Sequence, residues 1–253
     1  RRPLQRVFRA LVWHAQGDAR RLLGDALALD PQQLPQFPDA GSTRYLGWLS
    51  HVRAIKIILV TPAAAGSRVG NRVTALRWAR ILRSLGHRVE IRSEYGGQRC
   101  DVLIALHARR SFAAVERFHR DYPDRPLILA LTGTDLYGDI HTDEQAQQAL
   151  EWATCFVLLQ PHGIGELPEH LRAKARVVFQ SVKAPAGVFR PKKDSFEVCV
   201  VGHLRAIKDP FRTAEAARLL PGDSRIHITH IGSALSGDMA ERALREERDN
   251  PRY

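Results

Sequence analysis

Three residues in the last quarter of the chain have the types and spacing of a phosphate-binding turn. Gly202, Arg205 and Lys208 follow an apolar run in the segment VCVVGHLRAIKDP. Glycine leaves space beside the backbone for a ligand, a guanidinium offers a planar fork to phosphate oxygens, and an ammonium adds a compact charge. A strand, a glycine turn and a helix start also present backbone N–H groups to phosphate. The pattern predicts a diphosphate site, with an ordinary solvated turn as the alternative.

A second group of polar residues follows two predicted strands in the first half of the chain. The loop after Ile55–Val60 is built of small residues and runs into a helix, whose N-terminus favours anions. Arg109 and Arg110 follow the predicted strand Asp101–Leu106, at the edge where α/β proteins bind ligands. Alternatively, these are surface residues of an arginine-rich chain. The residues predicted to bind an anion here are Gly66, Ser67, Arg68, Asn71, Arg72 and Arg109.

His107 and Asp135 are the candidate catalytic residues. His107 ends an apolar strand, where it is either a ligand contact or a hydrogen-bonded core residue. Asp135 lies in a Thr-Gly-Thr-Asp turn, where it either orients a hydroxyl group of a ligand or caps the next segment. Capping is the commoner role for an Asp beside glycine. His162 and Gly163 follow another predicted strand and are weaker candidates for the same edge.

The other histidines and the cysteines predict neither a metal site nor a disulfide. His227 and His230 are three residues apart on a predicted strand and so point to opposite faces. No carboxylate pair completes a metal site with them or with His203. An odd number of cysteines in apolar runs predicts reduced thiols in a cytoplasmic protein. These cysteines are Cys100, Cys155 and Cys199.

Composition and charge restrict the class of partner. The 253 residues are 44% hydrophobic, which is enough for a packed core, and the net charge is +11. A positive chain favours anionic partners such as nucleotide phosphates, nucleic acid or a membrane surface. The arginines are scattered rather than clustered, which argues against a nucleic-acid partner. No apolar run approaches the roughly 18 residues of a membrane-spanning helix, so membrane contact is possible but not favoured.

The elements that must position these residues alternate between strands and helices. This alternation predicts an α/β fold with a doubly wound, Rossmann-like first domain over residues 55–183. Residues 184–196 read as a linker, and residues 197–253 as the start of a second Rossmann-like domain. We expect this second domain to be incomplete, because two strands do not form an independent domain. Residues 1–50 predict a helical extension and a proline-broken linker, with an amphipathic surface anchor as the alternative.

Predicted element bounds follow from the apolar runs. The first helix should run from Arg72 to Leu85, with Val73, Leu76, Ala79, Ile81, Leu82 and Leu85 on its inner side. The further strands are expected at 101–106, 127–131, 155–159, 177–182, about 198–201 and 226–231. Helices are expected at 111–119, with Ser111 as N-cap, and at 142–152, 211–220 and 238–248.

The segment VGHLRAIKDP resembles a turn of the family 4 glycosyltransferases, which have the two-domain GT-B fold. Residues 55–250 also resemble the selenosugar synthases of selenoneine biosynthesis. The phrases that carry this resemblance are GSRVGNRVTALRWARILRSLGHRV, LHARRS and LTGTDLYGDI. The resemblance implies a GT-B fold and a UDP-sugar donor, with no further cofactor. It also implies selenophosphate as acceptor and formation of a carbon–selenium bond.

The resemblance implies roles for particular residues. Arg205 and Lys208 would hold the donor diphosphate, and His107 would contact the donor sugar. The family places its donor ribose and sugar contacts on a later glutamate motif, which we expect to lie beyond this chain. Two alternatives stay open: a family 4 enzyme acting on a polysaccharide or lipid-linked acceptor, and a non-catalytic nucleotide- or anion-binding module. The sequence leaves open the donor sugar and base, the stereochemical outcome and the oligomeric state.

Overall fold

The computed structural model of the chain describes residues 54–180, 187 and 192–253. The chain divides into two compact units, with the boundary between Ala184 and Pro185. The predicted extension over residues 1–50 and most of the predicted linker over 184–196 lie outside the described residues.

The first unit alternates strands and helices, as the apolar runs predict. Each buried run of four or five apolar residues forms a strand that is covered on both faces, as in parallel sheets generally. The elements in chain order are β1 Lys56–Val60, α1 Gly70–Ser84, β2 Arg88–Arg92, β3 Val102–Leu106, α2 Phe112–Asp121, β4 Leu127–Leu131, α3 Ile140–Thr142, α4 Glu144–Trp152, β5 Cys155–Leu158 and β6 Ala175–Val177.

The six strands form one parallel sheet in the order β2-β1-β3-β4-β5-β6. Neighbouring strands pair in register, for example Ile58 with Leu103 and Ile104 with Ile128. The strand order reverses at β1 and β3, because the chain goes from β1 outward to β2 and then returns to the other side of β1. In open α/β sheets, ligands bind outside the carboxyl ends of the strands at this switch point. The predicted loops after β1 and β3 therefore flank the expected binding crevice.

Two hydrophobic clusters cover the two faces of the sheet. Successive strand residues point to opposite faces, so Ile58 packs in one cluster and Ile57 in the other. One cluster includes α2 and α4, with Phe118 and Leu150 fully buried. The other includes α1, with Trp78 and Leu82 against the sheet. Helices on both faces make this sheet doubly wound, which confirms the predicted fold class of the first unit.

The inner side of α1 differs from the sequence prediction. Ala79, Ile81 and Leu82 are buried as expected, but Val73 is 53% exposed and Leu76 is 48% exposed. The buried positions of the helix are 74, 75, 78, 79, 81 and 82, so the buried stripe is rotated from the predicted one. Trp78 has the largest buried side chain of the helix and lies at the centre of this stripe. Val73 and Leu76 consequently lie on its flank.

The end of the first unit and the start of α2 differ in detail from the prediction. The last strand of the first unit is Ala175–Val177 rather than 177–182. Ser111 occupies the predicted N-cap position of α2, but its hydroxyl donates to the Leu106 carbonyl oxygen at 2.7 Å and does not bond to the helix. This bond ties the first residue after the β3 loop back to the end of the strand. Ser111 therefore fixes the loop that contains His107.

The second unit pairs two parallel strands, β7 Phe196–Val201 and β8 Ile226–Ile231. Helix α5, Arg212–Ala217, is shorter than the predicted 211–220, and α6 is Gly237–Asp249. Most residues of β7 and β8 stay exposed or half-buried.

Within the described residues, no helix is long and apolar enough to span a membrane.

Candidate functional site

The loop after β1 presents predicted anion-binding residues. Gly66 has a φ of +83°, a left-handed conformation that favours glycine. The Ser67 hydroxyl donates to the Ala64 carbonyl oxygen at 2.9 Å, which closes a local turn. Arg68 is exposed and makes no hydrogen bond or ion pair with another described residue. The loop thus holds its own backbone in place and leaves Arg68 available to a ligand.

The start of α1 has no side-chain cap. Val69 occupies the N-cap position, where it offers no acceptor, and the first turn contains no acidic residue. The first N–H groups of the helix and their partial positive charge are left without a side-chain acceptor. Asn71 and Arg72 belong to this first turn, and the Nε of Arg72 is buried with no hydrogen-bond partner among the described atoms. This end of the helix favours a negatively charged ligand.

His107 directly follows β3 and adopts an unusual backbone conformation. Its φ is +77°, a conformation that costs free energy for any residue with a Cβ. The strand edge holds it there, because its N–H donates to the Ala130 carbonyl oxygen at 3.0 Å and its own carbonyl accepts from the N–H of Ser111 at 3.1 Å. The residue is 2% exposed. His107 is therefore a buried residue at the switch point.

The surroundings of His107 fix its tautomer. The backbone N–H of Arg110 donates to Nδ1 at 3.3 Å, so the proton of the neutral ring lies on Nε2. Nε2 then donates to the Thr134 hydroxyl at 3.3 Å. Burial lowers the pKa of His107; the carboxylates of Asp135 and Asp139 oppose this shift. His107 is thus held as a neutral hydrogen-bond donor.

Asp135 links the two loops on either side of His107. Its Oδ2 accepts from the N–H of Ala108 at 3.1 Å, and its Oδ1 accepts from the N–H groups of Thr132 and Gly133 at 3.0 and 2.9 Å. The residue has no exposed surface. Its burial and its three backbone bonds favour a positioning role for Asp135 over the predicted catalytic role. It joins the ends of β3 and β4.

A second carboxylate, which no sequence pattern indicated, lies nearer the surface. Asp139 ends a π-helical turn over Asp135–Asp139, and its Oδ2 is 3.3 Å from the Nε of Arg109. The same oxygen is 3.7 Å from the Nε2 of His107. The π-helical turn brings Asp139 to this position, and the residue spacing of the segment does not predict that turn. Arg109 and His107 therefore share one acidic neighbour.

The weaker candidates after β5 lie beside an exposed tyrosine. Gln160 hydrogen-bonds to the Tyr137 hydroxyl, and its Oε1 accepts from the N–H of His162 at 3.0 Å. His162 is exposed, whereas Gly163 is buried against Leu136. Gly163 consequently serves packing, and only His162 of the pair is open to a ligand.

The predicted diphosphate turn, Gly202–Lys208, lies in the second unit at the carboxyl end of β7. Arg205 and Lys208 are exposed, and neither side chain bonds to another described residue. A Cβ added to Gly202 would meet no atom within 4 Å, and its φ is not left-handed. Leu204 is buried and anchors the turn, while Asp209 closes it in a left-handed conformation. The turn holds two free cations beside an open stretch of backbone.

The end of β8 supports the diphosphate turn. The N–H of Gly202 donates to the Ile231 carbonyl oxygen at 2.9 Å, and its own carbonyl accepts from the Nε2 of His230 at 3.0 Å. The Tyr253 hydroxyl lies 2.9 Å from the Nδ1 of the same histidine. His230 is therefore fully engaged as a support for the turn. Gly232 lies so close to Gly202 that any side chain there would clash.

An open groove of about 790 Å³ runs along the exposed side of α1. Val73, Leu76 and Leu159 give it an apolar wall, and Arg77 and Arg80 lie along the helix side. Gln180 closes one part of it through a bond from its Nε2 to the Thr74 hydroxyl at 3.1 Å. The groove was not predicted, because the sequence placed Val73 and Leu76 in the core.

The chain is a doubly wound α/β protein with basic residues in the connections that follow β1, β3 and β7. No family model matches the sequence, and no curated protein matches it. Among solved structures, it is similar to the crystal structure of Anabaena Alr3699/HepE in complex with UDP, with a TM-score of 0.47 and 11% identity. The likeness covers 78% of this chain and 66% of that one, slightly less than two thirds of its length.

Proposed function

We propose that the chain is part of a glycosyltransferase of the GT-B type that transfers a sugar from a UDP-sugar to selenophosphate. The observation that carries this proposal is the diphosphate turn. Arg205 and Lys208 are exposed and unpaired among the described residues, beside the open backbone at Gly202. Unpaired cations three residues apart on a buttressed turn suit the two phosphates of a nucleotide-sugar.

The chemistry assigned to this turn is stabilisation of the leaving group. Selenium supplies the electron pair for the new bond to the anomeric carbon, while the bond from that carbon to the phosphate oxygen breaks and UDP leaves with its electron pair. Negative charge then grows on the diphosphate, and fixed cations stabilise it most at the transition state. Selenophosphate is itself nucleophilic, so the protein mainly positions the two reactants.

The first unit would bind the acceptor. Arg68 and the uncapped start of α1 belong to the connection that follows β1, and Arg109 to the connection that follows β3; these are the two strands of the switch point. Positive charge and free N–H groups suit a small anion better than an uncharged sugar. We assign to His107, whose neutral Nε2–H is a hydrogen-bond donor, a bond to a substrate oxygen.

The test is mass spectrometry of the full-length enzyme incubated with selenophosphate and a panel of UDP-sugars. A product with the isotope pattern of selenium would support the reaction. Arg205→Ala should lower turnover roughly 100-fold or more, as for the loss of one charge-stabilising donor. Arg245→Ala is the matched control, because it removes an exposed arginine from α6 in the same unit.

Normal turnover by Arg205→Ala would contradict the role of the turn. Binding of a UDP-sugar without any product would instead favour a non-catalytic nucleotide-binding module.

We propose a cytoplasmic location for the enzyme, since all three cysteines are free thiols. Burial raises the pKa of Cys100 and Cys155 to about 11, which keeps both protonated and unreactive.

A second candidate function takes a lipid-linked acceptor, and the groove along α1 favours it. Val73 and Leu76 expose apolar surface beside Arg77 and Arg80, a combination that suits an anion with an apolar chain. Release of UDP with a lipid-linked acceptor, and no selenium product, would support this alternative. Co-sedimentation with anionic liposomes would support it further, and a Leu76→Asp variant should then lose that binding.

A further inference from the structure

The acceptor region contains one carboxylate in a position that needs a function. Asp139 is half-buried at the end of the π-helical turn, and it pairs with the more exposed Arg109 at 3.3 Å. Asp135, its acidic neighbour, is already saturated by three backbone N–H groups. Asp139 is thus the accessible negative charge among cationic side chains that we assign to anion binding.

The contact leaves most of Arg109 available. A guanidinium has five N–H donors, and the ion pair joins Asp139 to the Nε atom. The Nη groups have no hydrogen bond or ion pair with another described residue. An incoming anion can therefore approach Arg109 while Asp139 is still in place. The anion and the Asp139 carboxylate then compete for Arg109.

We propose that Asp139 is a positioning residue that holds Arg109 in the free protein and is exchanged for a phosphate-class dianion when the acceptor binds. This inference deepens the proposed function, because it concerns the same acceptor site. A monoanion would replace one carboxylate by another of equal charge and gain little from Arg109. A dianion gains more, so the carboxylate selects for it. After exchange, Asp139 keeps His107 Nε2, now 3.7 Å away, as its second neighbour.

The test measures binding of inorganic phosphate by calorimetry at low ionic strength and pH 8. Asp139→Asn keeps the shape of the side chain but removes the competing charge. We expect it to bind phosphate about threefold to tenfold more tightly, as for one unit charge a few ångströms away under partial screening. Formate should gain affinity at least as much, because the variant no longer discriminates against monoanions.

Two matched variants show whether the gain is local. Asp124→Asn removes the same charge from an exposed residue before β4, at the amino end of that strand and thus at the other end from His107. It should leave phosphate affinity unchanged. Adding Arg109→Ala to Asp139→Asn should abolish the gain. An Asp139→Asn affinity equal to or below that of the unmodified chain would overturn the proposal. An equal gain in Asp124→Asn would do the same.

A measurement on the unmodified chain does not depend on a variant that folds. In an ¹H–¹⁵N spectrum, the Nε–H signal of Arg109, assigned from an Arg109→Lys sample, should shift with phosphate. An unchanged chemical shift would mean that Asp139 keeps Arg109 as its partner, which would overturn the proposed replacement of Asp139 by phosphate. Burial, Arg110 and Arg109 lower the pKa of His107, whereas the carboxylates of Asp135 and Asp139 raise it. A folded Asp139→Asn variant should therefore lower the pKa of His107 further.

UDP binding separates the two proposals. Loss of UDP affinity in Arg205→Ala supports the proposed function whatever phosphate does near Asp139. If UDP binds through Arg205 but Asp139→Asn does not tighten phosphate binding, only the exchange at Asp139 fails. If phosphate behaves as expected and UDP does not bind, the anion site stands and the glycosyltransferase proposal fails.

Discussion

Asp135 holds two loops together through its carboxylate. Its three backbone bonds are buried, so Asp135→Ala leaves three N–H donors without a partner. We expect the free energy of unfolding of the first unit to fall by about 2 to 4 kcal/mol, measured by urea denaturation. Asp143→Ala is the control, because Asp143 caps α4 through one bond to the N–H of Ala146 and should cost about 1 kcal/mol. Equal losses would contradict the linking role of Asp135.

His107 should make stability depend on pH. Burial lowers its pKa in the folded protein, so below a pH of about 6.5 the unfolded chain binds the proton more readily. The stability from the neutral ring is present in full above that pH and is lost as the pH falls. His107→Asn, a residue that tolerates a positive φ, should therefore flatten the fall in unfolding free energy between pH 7.5 and 5. The exposed His162→Asn should not, and an unchanged slope in His107→Asn would refute the assignment.

Two glycines of the second unit should respond in opposite ways to the same change. A Cβ on Gly232 would lie 1.8 Å from the Gly202 carbonyl oxygen, so Gly232→Ala must displace the diphosphate turn and lower thermal stability. A Cβ on Gly202 meets nothing, so Gly202→Ala should melt like the unmodified chain and yet weaken UDP binding by crowding the phosphates. Calorimetry with and without UDP measures both effects. A destabilised Gly202→Ala would show that this glycine serves the fold rather than a ligand.

Residue types at strand ends were predictable from the sequence, but their roles often were not. Arg205 and Lys208 lie on an exposed turn as expected, because a buried strand must be followed by a turn with polar residues. The bond from Ala108 to Asp135 and the bond between His107 and Thr134 each join residues 27 positions apart, which no local pattern encodes. Asp139 was missed for the same reason, since a π-helical turn decides where it points.

At the scale of elements, strands were easier to place than helix faces. Parallel strands such as β3 and β4 are buried on both faces, so a short apolar run suffices to predict them. Helix α1 carries apolar residues around more than one stripe, and the sequence could not show that Trp78 takes the centre. Its exposed flank then forms the groove, which depends on the ends of β4 and β5 as well as on the helix.

The rotated stripe of α1 predicts unequal costs for two leucines of one helix. Leu82 is fully buried in the cluster around β1 and β3, so Leu82→Ala should lower the unfolding free energy by about 2 to 5 kcal/mol. Leu76→Ala removes a half-exposed side chain from the groove and should cost less than about 1 kcal/mol. Urea denaturation of both variants decides the matter. Comparable costs would return Leu76 to the core.

At the scale of the whole molecule, the two units differ in how much apolar surface they bury. The central strands of the first unit are buried throughout, whereas Val201 and Ile231 at the ends of β7 and β8 are largely exposed. Fewer buried contacts mean cheaper local opening. We expect the amides of β7 and β8 to exchange with deuterium at least about tenfold faster than those of β3 and β4, by mass spectrometry.

A nucleotide should reverse part of this difference. A ligand that binds only the folded second unit stabilises it by mass action, so UDP at about 100 times its dissociation constant should slow the exchange of β7 and β8 roughly 100-fold. Exchange in β3 and β4 should change little, and Arg205→Ala should remove the effect because the turn then lacks its guanidinium. Slowing that persists in Arg205→Ala would place the nucleotide elsewhere. Slowing confined to the first unit would assign UDP to the basic residues after β1 and β3.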